Sequence, residues 1–384
     1  MESVMAMRCR EYSEEMIRIK LEAALEGLGG VDCWLRPGDH VLLKVNLLTA
    51  KKPEEAVTTH PLVVKALAEI LMEAGAAVTI GDSPGGPFTA GRMKHIYRVT
   101  GMEQAAALTG AVLNQNMESG TVHYAEGYRL KDFSVMKVLE KVDHVISLSK
   151  MKTHSMTLMT GAVKNLFGIM PGLEKAELHF RFADQLEFSH ALVDICEYVS
   201  PVLSVMDGIE AMEGAGPSAG SVRKSGLLLV SRNPHALDLA AAHFMGIAPE
   251  KVPTLKVAAE RGLCNLSEDE SFITGVYPKD LDGAFQLPEI KEPDFLKRFA
   301  GWPLIGPSLQ RFSHEYLRPK PRVQQEKCVV CGECGVICRA EAITMTPEAP
   351  EFNYLICIRC FCCQEICPEK AIIIERSRLL KLFR

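Results

Sequence analysis

Two copies of one cysteine motif lie near the end of this 384-residue chain. Both copies read C-x2-C-x2-C-x3-C. Their members are Cys328, Cys331, Cys334, Cys338, Cys357, Cys360, Cys363 and Cys367. A loop with this spacing places three thiolates around one iron–sulfur cluster and directs the fourth to a second cluster. The repeat therefore predicts a segment that folds around two [4Fe-4S] clusters.

Crossed ligation gives each cluster three ligands from one copy and one from the other. The first cluster is predicted to bind Cys328, Cys331, Cys334 and Cys367. The second is predicted to bind Cys357, Cys360, Cys363 and Cys338. Two zinc sites or a disulfide network are the alternatives, but zinc usually takes paired C-x2-C units separated by a longer loop. Cys362 breaks the spacing, so we expect a loop residue near the cluster.

Composition and charge exclude several classes of protein. Hydrophobic content of 47% and charged content of 24% are typical of a globular chain. A formal charge of -5 and a pI near 6.2 give no field suited to nucleic acid. No apolar run approaches the roughly 18 residues of a membrane span, and no signal peptide is recognised. With no disulfide pattern beyond the repeat, these features predict a cytoplasmic protein; they leave its oligomeric state open.

The region before the cysteines alternates between patterns of strand and helix. Residues 40–45 read as a buried strand, 61–74 as an amphipathic helix and 77–81 as the next strand. Repetition of this β-α-β pattern predicts an α/β fold, with a mostly parallel or mixed sheet covered by helices on both faces. A small C-terminal α+β domain of the two-cluster ferredoxin type is expected to follow.

The predicted domain organisation follows from changes in composition. It comprises an α/β domain at 1–290, a linker at 291–322, the two-cluster domain at 323–376 and a basic tail at 377–384. Aromatic and basic residues in the linker are consistent with packing of the ferredoxin module on the body or with a membrane-surface segment. Pro303 and Pro307 favour packing, because they prevent a long amphipathic helix.

The densest polar cluster follows a strand predicted to end near Leu148. It contains Lys150, Lys152 and His154, with Lys164 a little further on. Ligands of open α/β sheets bind beyond the carboxyl ends of strands, so we expect these side chains to share one crevice. Lysines there favour an anionic substrate, and a histidine exchanges protons near neutral pH. A solvated loop is the alternative, because lysines are usually surface residues.

A second polar set follows the first strand of the β-α-β unit. Lys44 and Asn46 stand at the strand end, and a positive charge there favours an anion. Capping chemistry explains the neighbouring Thr59 and Pro61 without a function. We therefore predict catalytic roles for His154, Lys152 and Lys164. We predict substrate-binding roles for Lys44, Asn46, Lys150 and Asn165.

Several short motifs together resemble one known family. They are KVN at 44–46, TTHP at 58–61, GDSP at 81–84, KMKTH at 150–154, TGAVKNLFG at 160–168, DGIEAMEGAGP at 207–217 and PHALDLAA at 234–241. In these the chain resembles the uncharacterised iron–sulfur-centre proteins known as domain of unknown function 362. The resemblance implies an α/β domain fused to a bacterial-type ferredoxin module, with the lysine–histidine motif as its signature site. It implies no reaction.

Two functions of different classes remain open from the sequence. The first is an iron–sulfur oxidoreductase or electron carrier whose clusters exchange electrons with a small anionic substrate or a redox partner protein. The second is a non-redox enzyme or cofactor-assembly factor in which the clusters are structural. The loops at 81–86 and 207–217 match neither a P-loop nor a dinucleotide fingerprint, so neither reading includes a bound nucleotide.

Overall fold

The computed structural model describes residues 3–267, 270–288 and 318–375. Its helices are α1 (Glu14–Gly27), α2 (Pro61–Glu73), α3 (Ala90–Val99), α4 (Met102–Thr109), α5 (Ala162–Asn165), α6 (Glu174–Arg181), α7 (Gln185–Val199), α8 (Pro234–Met245), α9 (Pro253–Glu260), α10 (Glu333–Ile337) and α11 (Cys362–Ile366). Its strands are β1 (Val4–Arg8), β2 (His40–Lys44), β3 (Ala77–Gly81), β4 (Val112–Leu113), β5 (Ser119–His123), β6 (Asp132–Met136), β7 (His144–His154), β8 (Leu158–Thr160), β9 (Leu203–Glu213), β10 (Ser221–Ser231), β11 (Ile273–Gly275), β12 (Lys320–Val323), β13 (Ile343–Met345), β14 (Pro350–Phe352) and β15 (Ile372–Glu375).

A mixed sheet forms the centre of the body. In the described residues its strand order is β11-β1-β10-β9-β7-β2-β3-β4, with β8 paired to β7 outside this path. The run from β9 to β4 is parallel, whereas β10 is antiparallel to both β9 and β1. The predicted fold class is confirmed, and the antiparallel half is the part that the sequence patterns did not reveal.

Helices cover both faces of this sheet because successive strand residues point in opposite directions. Leu43 packs in one core with side chains of α1, α2, α3 and α4. Its neighbour Leu42 packs on the other face with side chains of α5 and α7. A third core joins β1, β9 and β10 to α8 and α9. Both faces of the central strands are therefore buried, as expected for a parallel sheet.

Strand β7 differs most from the sequence prediction. It continues from His144 to His154, so the motif KMKTH lies within the strand and not in a loop after Leu148. The pairing with β9 shifts between Lys150 and Lys152, at a β-bulge. Bulges re-aim side chains, and here the bulge separates two buried lysines that contact different partners.

The C-terminal region is a small α+β unit with two antiparallel ribbons, β12–β15 and β13–β14. It packs directly on the body. Lys51 Nζ donates to the Pro368 carbonyl at 2.5 Å, and Arg92 pairs with Glu333 at 2.8 Å. Gln364 Nε2 donates to the Ala215 carbonyl at 3.2 Å. These contacts fix the cysteine region against one edge of the crevice.

Most of the predicted linker and the whole predicted tail lie outside the described residues, so both remain predictions. The same holds for the choice between packing and membrane contact in residues 291–317. Within the described parts of the chain, none of the helices combines the length and hydropathy that crossing a bilayer requires.

Candidate functional site

The eight motif cysteines line two small cavities in the C-terminal region. One cavity of about 20 Å³ is lined by Cys328, Cys331, Cys334 and Cys367. The other, of about 30 Å³, is lined by Cys338, Cys357, Cys360 and Cys363, with Cys362 beside them. These groups of four are the crossed sets expected from the spacing. The fold therefore brings together the residues that two clusters would need.

Distances between the sulfurs bear on the choice of metal. A tetrahedral zinc site with Zn–S bonds of about 2.3 Å places its sulfurs about 3.8 Å apart. The motif cysteines do not form such a compact group among the described residues, where the grouping found is Cys196, Glu197 and His235. Each cavity offers four thiolates, which is the donor set that an iron–sulfur cluster takes.

A larger cavity of about 90 Å³ lies where the body meets the C-terminal region. Strands β2 and β3 end at this cavity, as expected for a ligand site of an open α/β sheet. The body contributes Lys44, Asn46, Asp82, Lys152, Thr160, Lys164, Asn165, Lys175 and His179. The C-terminal region contributes Ile337, Cys362, Glu365 and Ile366. We call this space the crevice cavity.

Lys44 forms the most deeply buried ion pair of the crevice cavity. It ends β2, and Asp82 follows the adjacent parallel strand β3, which places Lys44 Nζ 2.7 Å from Asp82 Oδ1. The Lys44 ammonium also donates to the Val45 carbonyl at 2.7 Å and to Asn165 Oδ1 at 3.3 Å. Burial lowers the pKa of Lys44, and Asp82 opposes that effect. Gly168 packs so closely here that a Cβ would overlap both charged groups.

Lys152 is held at the mouth of the β7–β8 hairpin. Its Nζ donates to Asn46 Oδ1 and to the Val57 carbonyl, each at 2.7 Å. Burial, together with the charge of Lys164, lowers the pKa of Lys152 to about 7. Thr160 is its direct partner across the hairpin, so the two side chains share one face.

Among the lysines of the crevice cavity, Lys164 alone has no hydrogen-bond acceptor in the described residues. Its Nζ lies 5.9 Å from the centre of the Phe167 ring, and its charge interactions are with Glu365 and Cys362. Burial lowers the pKa of Lys164. The side chain is therefore placed to receive a ligand from the crevice cavity.

Sequence reasoning missed three residues of this cavity. Lys175 Nζ donates to the Ser83 and Met170 carbonyls at 2.7 and 2.8 Å, and burial lowers its pKa to about 7. Burial also lowers the pKa of His179 to about 3, so its ring is neutral at pH 7. Glu365 enters from the C-terminal region. The spacing of Lys175 and His179 on one helical face was the available signal.

Two predicted site residues lie outside the crevice cavity. Lys150 Nζ forms a fully buried pair with Asp207 at 2.9 Å and donates to the hydroxyl of the half-buried Tyr12 at 2.7 Å. His154 Nδ1 accepts from the Met156 amide at 3.0 Å, and Nε2 lies 3.2 Å from Glu365. Burial, reinforced by the charge of Lys164, lowers the pKa of His154 to about 4. Its contacts place it between the body and the C-terminal region.

Comparison with known proteins identifies the family. The family model described as "Domain of unknown function (DUF362)" matches residues 41–243, just over half of the chain. The chain belongs to this family. A thylakoid-associated protein of Synechocystis sp. is 33% identical over 325 residues, covering 82% of this chain and 95% of the relative. The family prediction is confirmed, and the matched region includes the body's side of the crevice cavity.

Two further proteins are similar to parts of this chain. The pyruvate synthase subunit PorD of Methanothermobacter marburgensis is 36% identical over 59 residues, covering 15% of this chain and 69% of PorD. The structure of the lactate racemase apoprotein of Thermoanaerobacterium thermosaccharolyticum aligns with a TM-score of 0.40 and 11% sequence identity. The alignment covers 64% of this chain and 58% of the racemase chain. With a relative described as thylakoid-associated, the cytoplasmic location remains a prediction.

Proposed function

We propose that this DUF362 protein binds two [4Fe-4S] clusters and exchanges electrons with an anionic ligand in the crevice cavity. When bound, the clusters supply one-electron oxidation and reduction. The first would be held by Cys328, Cys331, Cys334 and Cys367, and the second by Cys357, Cys360, Cys363 and Cys338. Lys152 and Lys164 would bind the ligand, and Lys44 with Asn46 and Asn165 would support them.

One observation carries this proposal: the second cysteine cavity and the crevice cavity share a wall. Ala176, Ile337 and Cys362 line both spaces. Cys362 also hydrogen-bonds Cys360 through its thiol, which lowers the pKa of Cys360. A cluster in the second cavity would therefore lie one side chain away from a ligand among the lysines. That distance favours a relay over a purely structural role.

The position of the crevice cavity, and not exposure, separates the roles of the two clusters. Both cysteine sets have exposed apolar neighbours, Val329 at 61% beside the first set and Leu355 at 68% beside the second. Among the described residues, only the second set shares a wall with the crevice cavity. The second cluster would therefore serve the crevice cavity, and we propose that the first cluster receives electrons from an external redox protein.

The cofactor is tested by anaerobic reconstitution. We expect about eight irons and eight sulfides per chain, with a broad charge-transfer band. Cys363→Ser should lower the iron content towards half, whereas the matched variant Cys362→Ser should retain about eight irons. Tight zinc in place of iron, or equal losses in the two variants, would refute the assignment of ligands.

The relay is tested separately, by following the clusters while the crevice cavity is filled. A small dicarboxylate such as oxalate, added to the reduced protein, should change the EPR signal or the potential of the second cluster more than those of the first. The alternative, a non-redox enzyme or assembly factor with structural clusters, predicts equal binding to oxidised and reduced protein. Equal binding with unchanged spectra would support that alternative.

A further inference from the structure

Two buried hydrogen-bonding groups in the crevice cavity have no partner among the described residues. They are Thr160 Oγ1 and His179 Nδ1, in residues that are only 4% and 3% exposed. The half-buried Lys164 ammonium beside them also lacks an acceptor in the described part of the chain. Leaving a buried polar group unpaired is unfavourable. Two such groups and a free ammonium around one space indicate that the space is made for a ligand.

The other three lysines of the cavity differ in whether every ammonium proton already has a hydrogen-bond acceptor. Lys44 has three oxygen partners within 3.3 Å, and Lys175 has three within 3.1 Å. An ammonium has three protons, so neither has a donor to spare. Lys152 makes two hydrogen bonds and keeps one proton. The ligand is therefore met by Lys152, Lys164 and Thr160, with His179 beside them.

Charge and size restrict what fits. Four lysines face two carboxylates in the crevice cavity, a formal excess of two positive charges when all are ionised. A space of about 90 Å³ holds on the order of six non-hydrogen atoms. Apolar side chains also line the cavity, among them Phe167, Ile337 and Ile366. Apolar walls with a few convergent polar groups favour a carbon skeleton over an inorganic ion.

We propose that the crevice cavity binds a compact organic dianion, a dicarboxylate of two to four carbons, through Lys152, Lys164 and the Thr160 hydroxyl. The inference rests on the proposed function only in placing an anion in this cavity. Asp82 and Glu365 limit the positive field. Thr160 thereby becomes a specificity-determining residue, since its hydroxyl adds a directed donor next to the ammonium groups of Lys152 and Lys164.

The test measures binding to the oxidised holoprotein with no electron donor present. Oxalate, malonate, acetate, citrate and inorganic phosphate are titrated anaerobically by calorimetry and by thermal shift, since binding to the folded state raises its stability. Oxalate or malonate should bind at least tenfold more tightly than acetate, citrate or phosphate. Thr160→Val, nearly isosteric, should weaken that binding about tenfold or more, because it removes a hydrogen bond to a charged group.

Variants separate binding from folding. Lys164→Met should abolish dicarboxylate binding, whereas Lys131→Met, at an exposed position, should leave it unchanged. Iron content and melting temperature confirm that each variant is folded; should Lys164→Met fail to fold, Thr160→Val alone decides. Unchanged affinity in Thr160→Val, or preference for phosphate, acetate or citrate, overturns the inference. Because no electrons are supplied, this result is independent of whether the clusters act as a relay.

Discussion

Replacing Asp82 by asparagine tests how the crevice keeps charge inside the protein. Asp82 is the carboxylate partner of Lys44 at 2.7 Å, and both side chains are almost fully buried, at 4% and 1% exposure. Removing one member of such a pair costs about 3–5 kcal/mol, because the other charge stays buried and uncompensated. Asparagine keeps an oxygen for the Leu47 amide, which now donates to Asp82 Oδ2 at 2.7 Å, so the loss is mainly electrostatic.

The expected shift in melting temperature follows from the size of the body. At about 2.1 cal/mol/K per residue, a body of roughly 290 residues loses about 5–8 °C for that free-energy change. Anaerobic differential scanning fluorimetry of the holoprotein measures it. Without Asp82, burial lowers the pKa of Lys44 further, so the penalty should shrink at alkaline pH, where Lys44 gives up its proton in the folded state.

Two control variants complete this test. Asp132→Asn makes the same chemical change at a side chain that is 70% exposed, and it should leave the melting temperature nearly unchanged. Adding Lys44→Met to Asp82→Asn removes the unpaired cation and should recover much of the loss. If Asp82→Asn costs no more than Asp132→Asn, the buried pair does not hold the crevice together and the reasoning fails.

Three other results are expected. The pKa of Lys152 falls from its ordinary value to about 7 on folding, so between pH 7 and about 10 the unfolded chain binds more protons than the folded protein. The free energy of unfolding should therefore rise with pH in this range. Lys152→Met should flatten that rise, measured as melting temperature against pH. Oxalate affinity should fall as pH rises from 7 to 9, with proton uptake visible when calorimetry is repeated in buffers of different ionisation enthalpy. Gln364→Ala removes the bond to the Ala215 carbonyl and should speed hydrogen exchange around residues 215–218, and unchanged exchange would argue against that docking contact.

Local patterns predicted the parallel half of the sheet well. Residues 40–45, 61–74 and 77–81 became β2, α2 and β3 within one residue at each end, because the hydrophobic period and the helix start are local signals. The spacing of the cysteines likewise predicted which four would meet at each cavity. Five of the seven crevice residues also meet, since the ends of parallel strands lie at one edge.

What local patterns could not supply depends on partners far away in the chain. The sequence prediction ended β7 near Leu148 and so placed its lysines after the strand. A lysine inside a strand is costly unless it is paired. Asp207 supplies the missing charge for Lys150 from the neighbouring strand β9, and that register is a long-range property. Glu365 reaches the crevice from the other end of the chain. Nothing local signals such a contact.

The shared wall also implies an order of assembly. Residues of α10 and α11 close the crevice cavity, and the motif cysteines surround these same helices. Binding of a metal group by cysteines contributes directly to the folding of the segment that carries them. On the proposed function, a newly made chain would have its lysines in place but no enclosed space until iron and sulfide arrive. Metal supply would then decide how many molecules are competent to take up the anion.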